Sequence, residues 1–423
     1  MKQALLSRGS LVPGVAGRRA LLALSALVAC GDATGPLGPS GPLPLCDVAG
    51  NRVEPRVARG YTDAQFRALG AGRSGAAGRG TAQTNAARRY VSAAGGDDAN
   101  DGSEAAPWRT LQRAADAVTP GTTVLVDASG AYAGGLQLRK GGSPGAYVIF
   151  MGRDPATRPR ILGDVAQVAV VSIDASYLVF QGFEIADHRR ATLGEDAIGI
   201  LVEPTQGDLS HVELRNNVVR DLGPGQVEQA SCSYNGHGIL AQAEGMRISD
   251  LIIDGNELHD LYVGNSEVLV VNGAVEDFCI TSNYVHDVNN IAIDVIGYEQ
   301  SDRETARRGV VADNVILDAS NYWPYCTRGN CTYAAGDESS DGIYVDGGAE
   351  LLIEHNLVGR ADHGIELQSE NGQLIRDVEV RENVVFNSNY RHFTLGPSVN
   401  SGEHDNQFFD DPALADPTFA ACR

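Results

Sequence analysis

Lysine is nearly missing from this chain: Lys2 and Lys140 are the only two, and 33 basic residues face 54 acidic ones for a formal charge of -21. No basic stripe is available to neutralise phosphates, so nucleic acid is excluded as a partner. Long apolar runs are as scarce. Only ALLALSALVA at 20–29 stands out, and it is too short to span a bilayer permanently. No second close Cys or His pair accompanies CTRGNC (326–331), which weakens a zinc reading.

What stands at the N-terminus has the layout of an export signal. Lys2, Arg8, Arg18 and Arg19 precede the apolar run, which ends in Leu27-Val28-Ala29-Cys30. That ending resembles a bacterial lipobox, in which Cys30 is lipidated and becomes the new N-terminus; ordinary cleavage with Cys30 left free is the alternative. Loss of residues 1–30, which carry four basic and no acidic side chains, takes the formal charge to -25. Residues 31–88, rich in Gly, Pro, Ala and Ser, predict a flexible linker with one helical candidate at 62–69. The folded domain is expected over 89–412, with a tail at 413–423. Six cysteines remain besides Cys30, an even number suited to an exported chain, and Cys326 and Cys331 are close enough to clip one loop as a disulfide.

A short phrase repeats six times, apolar residues running into Asn and then an apolar pair: VELRNNVV (Asn217), LIIDGNEL (Asn256), FCITSNYV (Asn283), VVADNVIL (Asn314), LLIEHNLV (Asn356) and VEVRENVV (Asn383). YLVFQGFEI fits with Gly182 in the Asn slot. The spacings of 39, 27, 31, 42 and 27 residues describe a unit of 27 with insertions, within the range of solenoids. One unit buries too little apolar surface to fold alone, so units must stack. Asn suits such a turn because it tolerates left-handed backbone and hydrogen-bonds main chain. A second phrase recurs between the copies: GILV (199–202), GILA (238–241), IAIDV (291–295), GIYV (342–345) and GIEL (364–367). Two strand phrases per period without a helical pattern predict an all-β chain, a parallel β-helix of about seven to nine coils. Thr110 to Val118, with Leu111, Ala114, Ala115 and Val118 on one side, predicts a short N-terminal capping helix.

The stretch YVSAAGGDDANDGSEAAPWRTLQRAADAVTPGTTVLV (90–126), followed by GGSPGAYVIF (141–150) and later by SSDGIYVDGG and DHGIEL, resembles the right-handed parallel β-helix proteins of the pectate-lyase-like superfamily over about residues 88–412. The resemblance implies the right-handed solenoid. For activity it implies a polysaccharide lyase, a glycoside hydrolase, an epimerase or a non-catalytic relative.

If the Ile of each GI phrase faces the core, the residue after it and the residue three after it face outward. Stacking then gives a column of Leu201, Leu240, Val270, Asp294, Tyr344 and Glu366, and beside it Glu203, Gln242, Asn272, Ile296, Asp346 and Gln368. Just before each phrase stands a third, polar column of His237, Asp341, His363 and Arg391. Asp294, Asp346 and Glu366 thus fall on successive coils, about 8 Å from one to the next, and form the candidate catalytic set with Asp341 and His363. Tyr344, His237, Glu299 and Arg391 would line the substrate groove. Insertions before His237 and Asp341 would wall it, the second supplying Trp323 and Tyr325 as platforms for sugar rings.

Three chemistries are open. In a hydrolase one carboxylic acid protonates the leaving oxygen while a second carboxylate activates water, with Asp346 pairing Asp294 or Glu366 and His363 tuning either. In the Ca²⁺-assisted β-elimination that the resemblance implies, carboxylates hold the cation and a Lys or Arg takes the proton. Lys140 lies in the opening segment, so Arg391, Arg360 or His363 would have to serve. A non-catalytic surface lipoprotein that binds glycan or projects from the cell is the third, its acids a solvated face. DDANDG (97–102) fails as a calcium loop, with Ala99 and Trp108 at ligand positions, and reads as a turn. His188, His211, His259 and His286 are expected at turns or on the surface. The whole predicts an exported, outer-membrane or cell-surface protein, monomeric, tethered only by lipid, with a polysaccharide as its partner.

Overall fold

The computed structural model describes residues 37–39, 41, 43, 46, 62–74, 87–163, 166–190, 196–224, 235–299, 301, 303–321 and 339–415. Each coil contributes up to three short strands, and every strand-to-strand pairing among these residues is parallel. The first face carries the GI phrases, the second the apolar run that leads into each Asn, and the third the apolar pair that follows it. The first two faces merge into one 19-stranded sheet, since Gly236–Asp254 and Leu269–Thr281 pass through the corner unbroken; the third face is a separate stack of ten strands. The fold is the right-handed parallel β-helix, slightly longer than seven to nine coils.

Alternation along each strand sends one set of side chains inward, and the stacking of coils turns that set into a continuous aliphatic column. Ile239, Leu269, Ile293, Ile343 and Ile365 are register partners in succession and all lie in the core. Burying such a side chain is worth about 1.5–3 kcal/mol, far less than the ordering of a coil costs, so a coil persists only between neighbours.

The repeated asparagines form one buried ladder. Each Nδ2 donates to the Oδ1 of the next: Asn217 to Asn256 (3.1 Å), Asn256 to Asn283 (3.0 Å), Asn283 to Asn314 (3.0 Å), Asn314 to Asn356 (2.9 Å) and Asn356 to Asn383 (2.9 Å). The backbone amide of each donates to the same oxygen, and a second Nδ2 bond reaches a carbonyl of the preceding coil, as from Asn314 to Ile280. Asn406 continues the column below Asn383. The left-handed backbone belongs to the residue before each Asn, with φ of 55° at Ser282 and 56° at Asp313. Gly182 (φ 74°) therefore occupies that preceding position, and Phe183 takes the Asn slot, its amide donating to Asn217 Oδ1.

Helix α1 (Asp63–Ser74) extends the candidate at 62–69, and helix α2 (Leu111–Ala117) is the expected cap, with Leu111, Ala114 and Ala115 buried and Thr110 as its N-cap. DDANDG forms Asx turns, Asp97 and Asp101 each accepting from an amide two residues on. The flexible-linker expectation for 31–88 fails where the structure describes it. Cys46 is disulfide-bonded to Cys279, Gly38 donates its amide to Asn400, and Leu37 approaches Gly402. Cys279, Val310, Leu352, Glu379 and Gly402 are register partners in succession on the outside of the second face, and Leu37, Gly38 and Cys46 each meet a member of that column. On the third face, α1 sets Leu69 against the Tyr284 and Leu317 cluster and Arg67 against Asp287 and Asp318. A segment too poor in apolar residues to build a core has used a preformed sheet as its partner. Cys30, Trp323, Tyr325, Cys326 and Cys331 lie outside the described residues.

Candidate active site

Glycine decides which side chains reach the outside of the first face. A Cβ on Gly342 would lie 2.3 Å from Val358 Cγ1, and one on Gly364 would lie 2.3 Å from Val385 Cγ1. Both positions therefore point inward together with the Ile that follows, and alternation is interrupted for one step. The residue before the Gly and the residue after the Ile consequently share the outer side. Asp341 joins Tyr344 there, and His363 joins Glu366.

The register brings the expected columns together. Leu201, Leu240, Val270, Asp294, Tyr344 and Glu366 are successive partners, as are Asp341, His363 and Arg391. Asp346 lies on the same outer side, two residues beyond Tyr344, with Val345 between them in the core. Glu267 was missed. It stands three residues before Val270, as Asp341 stands three before Tyr344, but no GI phrase marks its strand; the His237 column, counted through every coil, contained it.

The outward acids are not wet. Asp294 is 2 % exposed, Asp341 4 %, Asp346 8 %, and His363 and Glu366 9 % each. They form two diagonal pairs related by a two-coil step, Glu267 with Asp294 and Asp341 with Glu366. In the second pair the carboxyls are hydrogen-bonded, and His363 Nδ1 lies 2.7 Å from Glu366 Oε2. Oxygens of Asp341 and Glu366 and a ring nitrogen of His363 all lie within 4.8 Å of one another, the one donor set on this wall, among the described residues, that could hold a cation.

Burial and like charge favour the protonated forms of Asp294, Asp341, Asp346 and Glu267. Burial pushes Asp294 well above the usual carboxylate range, reinforced by Glu267 and Asp346. Burial does the same to Asp341, with the Glu366 charge next. Asp346 is pushed up to about 7, burial outweighing the Glu370 amide that donates to its Oδ1 at 2.6 Å. Glu267 is pushed up to about 8 by burial and the nearby Glu299 charge. His237, 2.9 Å from the Glu267 carbonyl, is pushed down to about 4 by burial and is neutral at physiological pH. Burial also raises the Tyr344 phenol. Buried polar atoms ordinarily have partners; here Asn272 Oδ1, Asp294 Oδ1, Asp341 Oδ1 and Thr394 Oγ1 have none.

At the rim, Tyr390 is 57 % exposed, its ring 4.9 Å from that of His363, with the Arg391 guanidinium 5.1 Å from its centroid. Glu299 is also at the rim, accepting from Asn272 Nδ2. Arg360 does not belong here, being buried against Asp318 beside the third face. Lys140 binds the Asp116 carbonyl near the N-terminal cap. His188 is fully buried within its third-face strand (Glu184–Arg190), with Nε2 2.9 Å from the Val168 carbonyl, not at a turn or on the surface.

No known protein-family profile matches the chain. It is 32 % identical over 315 residues to the uncharacterized protein YwoF of Bacillus subtilis (strain 168); the match takes in 73 % of this chain, which spans 64 % of that relative's length. Among solved structures, pectate lyase Pel9A superposes with a TM-score of 0.51 at 15 % identity, over 77 % of this chain and 80 % of that one. A GH136 lacto-N-biosidase from Eubacterium ramulus gives 0.48 at 14 % identity, over 77 % and 68 %. The likeness to Pel9A is one of fold.

Proposed function

We propose that this protein cleaves a polysaccharide by hydrolysis on the outer side of the first face. One observation carries the reading: Asp294, Asp341 and Glu366 on that wall are withdrawn from water, with Glu267 half-buried beside them, and among the described residues no arginine or lysine forms an ion pair with any of the four. Each pair contains an acid whose protonated form burial favours, Asp294 in one and Asp341 in the other, so one pair can serve as acid and the other as base. Glu267 with Asp294 would protonate the leaving oxygen, and Asp341 with Glu366 would draw a proton from water. The pairs are two coils apart, about 9.5 Å, at the upper end of the separation that admits a water and favours inversion. Tyr390 offers its exposed ring edge to a sugar at the rim. That Pel9A, similar in fold, is a pectate lyase supports a glycan as substrate.

β-Elimination keeps one observation on its side, since Arg391 is the register partner of His363, with its guanidinium at the rim against the Tyr390 ring. A non-catalytic glycan binder would want its acids wet. We also place the activity outside the cytoplasm, on a lipid tether at Cys30; the disulfide between Cys46 and Cys279 supports an oxidising compartment. The test is incubation with neutral and acidic polysaccharides, following reducing ends and the absorbance of unsaturated uronides. Reducing ends without absorbance, lost in Asp294→Asn and Glu366→Gln, are expected. Absorbance would convert the reading to elimination, and no release from any substrate would end it.

A further inference from the structure

We propose that Asp341, His363 and Glu366 form a site for one divalent first-row transition cation. The three side chains come from adjacent coils. Asp341 and His363 are register partners, and Glu366 reaches the same side because Gly364 and Ile365 both turn inward. Their donor atoms already lie within 4.8 Å of one another, and ligands about 2.0–2.2 Å from a metal stand about 3.3 Å apart, a closure that side-chain rotation supplies.

The second observation is independent of that clustering. Asp341 Oδ1 is buried in a residue only 4 % exposed and has no hydrogen-bond partner, so a carboxylate that belongs to the cluster keeps one oxygen unsatisfied. Among the described residues no arginine or lysine forms an ion pair with Asp294, Asp341, Asp346 or Glu366. A cation taking the place of the proton between Asp341 and Glu366 would satisfy both oxygens at once.

The donor types choose the ion. Calcium, implied by the pectate-lyase-like resemblance, takes six to eight oxygens in most sites, and an imidazole at the centre of the set does not fit it. Two carboxylates and one imidazole suit zinc or manganese and leave coordination positions open. A second group with the same donor types, Glu354, His355 and Glu382, is a natural control, because Arg381 already neutralises Glu354 at 2.8 Å. Any part the cation plays in catalysis rests on the hydrolytic reading; its binding does not, and occupancy is therefore tested with the ion alone.

The full chain, freed of metal by chelator, is titrated calorimetrically with Zn²⁺, Mn²⁺, Ca²⁺ and Mg²⁺, with the melting midpoint of each apo variant as the check on folding. The expected result is one Zn²⁺ or Mn²⁺ per chain, bound at least about tenfold more tightly than Ca²⁺. Binding should weaken at least about tenfold in Asp341→Asn, in His363→Ala and in Glu366→Gln, and stay unchanged in His355→Ala. Absence of binding, preference for Ca²⁺, or loss in His355→Ala with retention in His363→Ala would overturn the proposal. Should Asp341→Asn fail to fold, His363→Ala and Glu366→Gln decide between the same outcomes.

Discussion

The asparagine ladder and the acid wall are both columns of polar side chains taken out of water, repeated coil by coil, and they follow opposite rules. In the ladder every amide oxygen accepts and every amide nitrogen donates, to a neighbouring rung or to a carbonyl. On the wall, carboxyls face carboxyls, and Asp294 and Asp341 each keep an oxygen without a partner. The first column gains from burial, because its bonds strengthen where water is absent; the second loses by it. A solenoid tolerates the second because the first, with the aliphatic stack, fixes the backbone beneath it.

Breaking the ladder should have the largest effect. Asn314→Ala strips the Asn283 amide and side chain of an acceptor and the Ile280 carbonyl and Asn356 oxygen of a donor. Each buried orphan costs about 1–3 kcal/mol, so a loss of about 3–5 kcal/mol is expected in denaturant unfolding, after partial relaxation. The comparison requires the reverse sign on the wall. Asp294→Asn removes a carboxyl that has no counter-charge and should stabilise the fold by about 1 kcal/mol while lowering glycan cleavage about 100-fold or more. A destabilised Asp294→Asn would mean that the wall, like the ladder, is structural.

A smaller effect, in pH dependence, sharpens the same contrast. The folded-state pKa values of Glu267 and Asp346 are raised, to about 8 and about 7, so the native state binds more protons than the unfolded chain between about pH 4 and 8. Their contribution to stability is therefore full below the unfolded carboxylate range and lost as pH rises through 7 to 8. Glu267→Gln should flatten the fall in melting temperature between pH 5 and 9 by a few degrees, on the order of 1–2 kcal/mol. An unchanged slope would place Glu267 in water. Asn314→Ala should leave the slope alone, since an amide does not titrate.

Much of this was legible beforehand, for one physical reason: in a solenoid, period fixes register. Asn217 to Asn383 marked the coils, and the GI phrases then placed Asp294, Tyr344 and Glu366 in one column, as found. Where the phrase lapsed the reading lapsed with it, and Glu267 went unseen although its coil held the same geometry. The Gly182 slot was misassigned because the left-handed position and the ladder position are adjacent, and the sequence does not say which the Asn fills. Burial of the acids was also not readable. Alternation separates inside from outside, but whether an outside is wet depends on what packs over it. The docking of Cys46 and α1 was hidden for a similar cause, their partners Cys279, Asp287 and Asp318 being hundreds of residues away on outer faces with no common motif.

Asp318 offers the finest test of what separates the two columns, because it is a buried acid that does have cations. Arg360 binds it through Nε and Nη2, and Arg67 reaches it from α1. Burial still raises its pKa, but both arginines oppose that rise, which no arginine does for Asp294. If partnering rather than depth sets the energetics, Arg67→Ala should be mild, near 1 kcal/mol, since Arg360 keeps both oxygens occupied and the lost contact is half-exposed. Thermal melting with limited proteolysis near α1 would check this: a small drop in midpoint with earlier cleavage there is expected. A loss as large as that of Asn314→Ala would show that one arginine cannot hold a buried carboxylate in this fold, and the bare acids of the first face would then be more unfavourable to the fold than the wall's two-pair arrangement can account for.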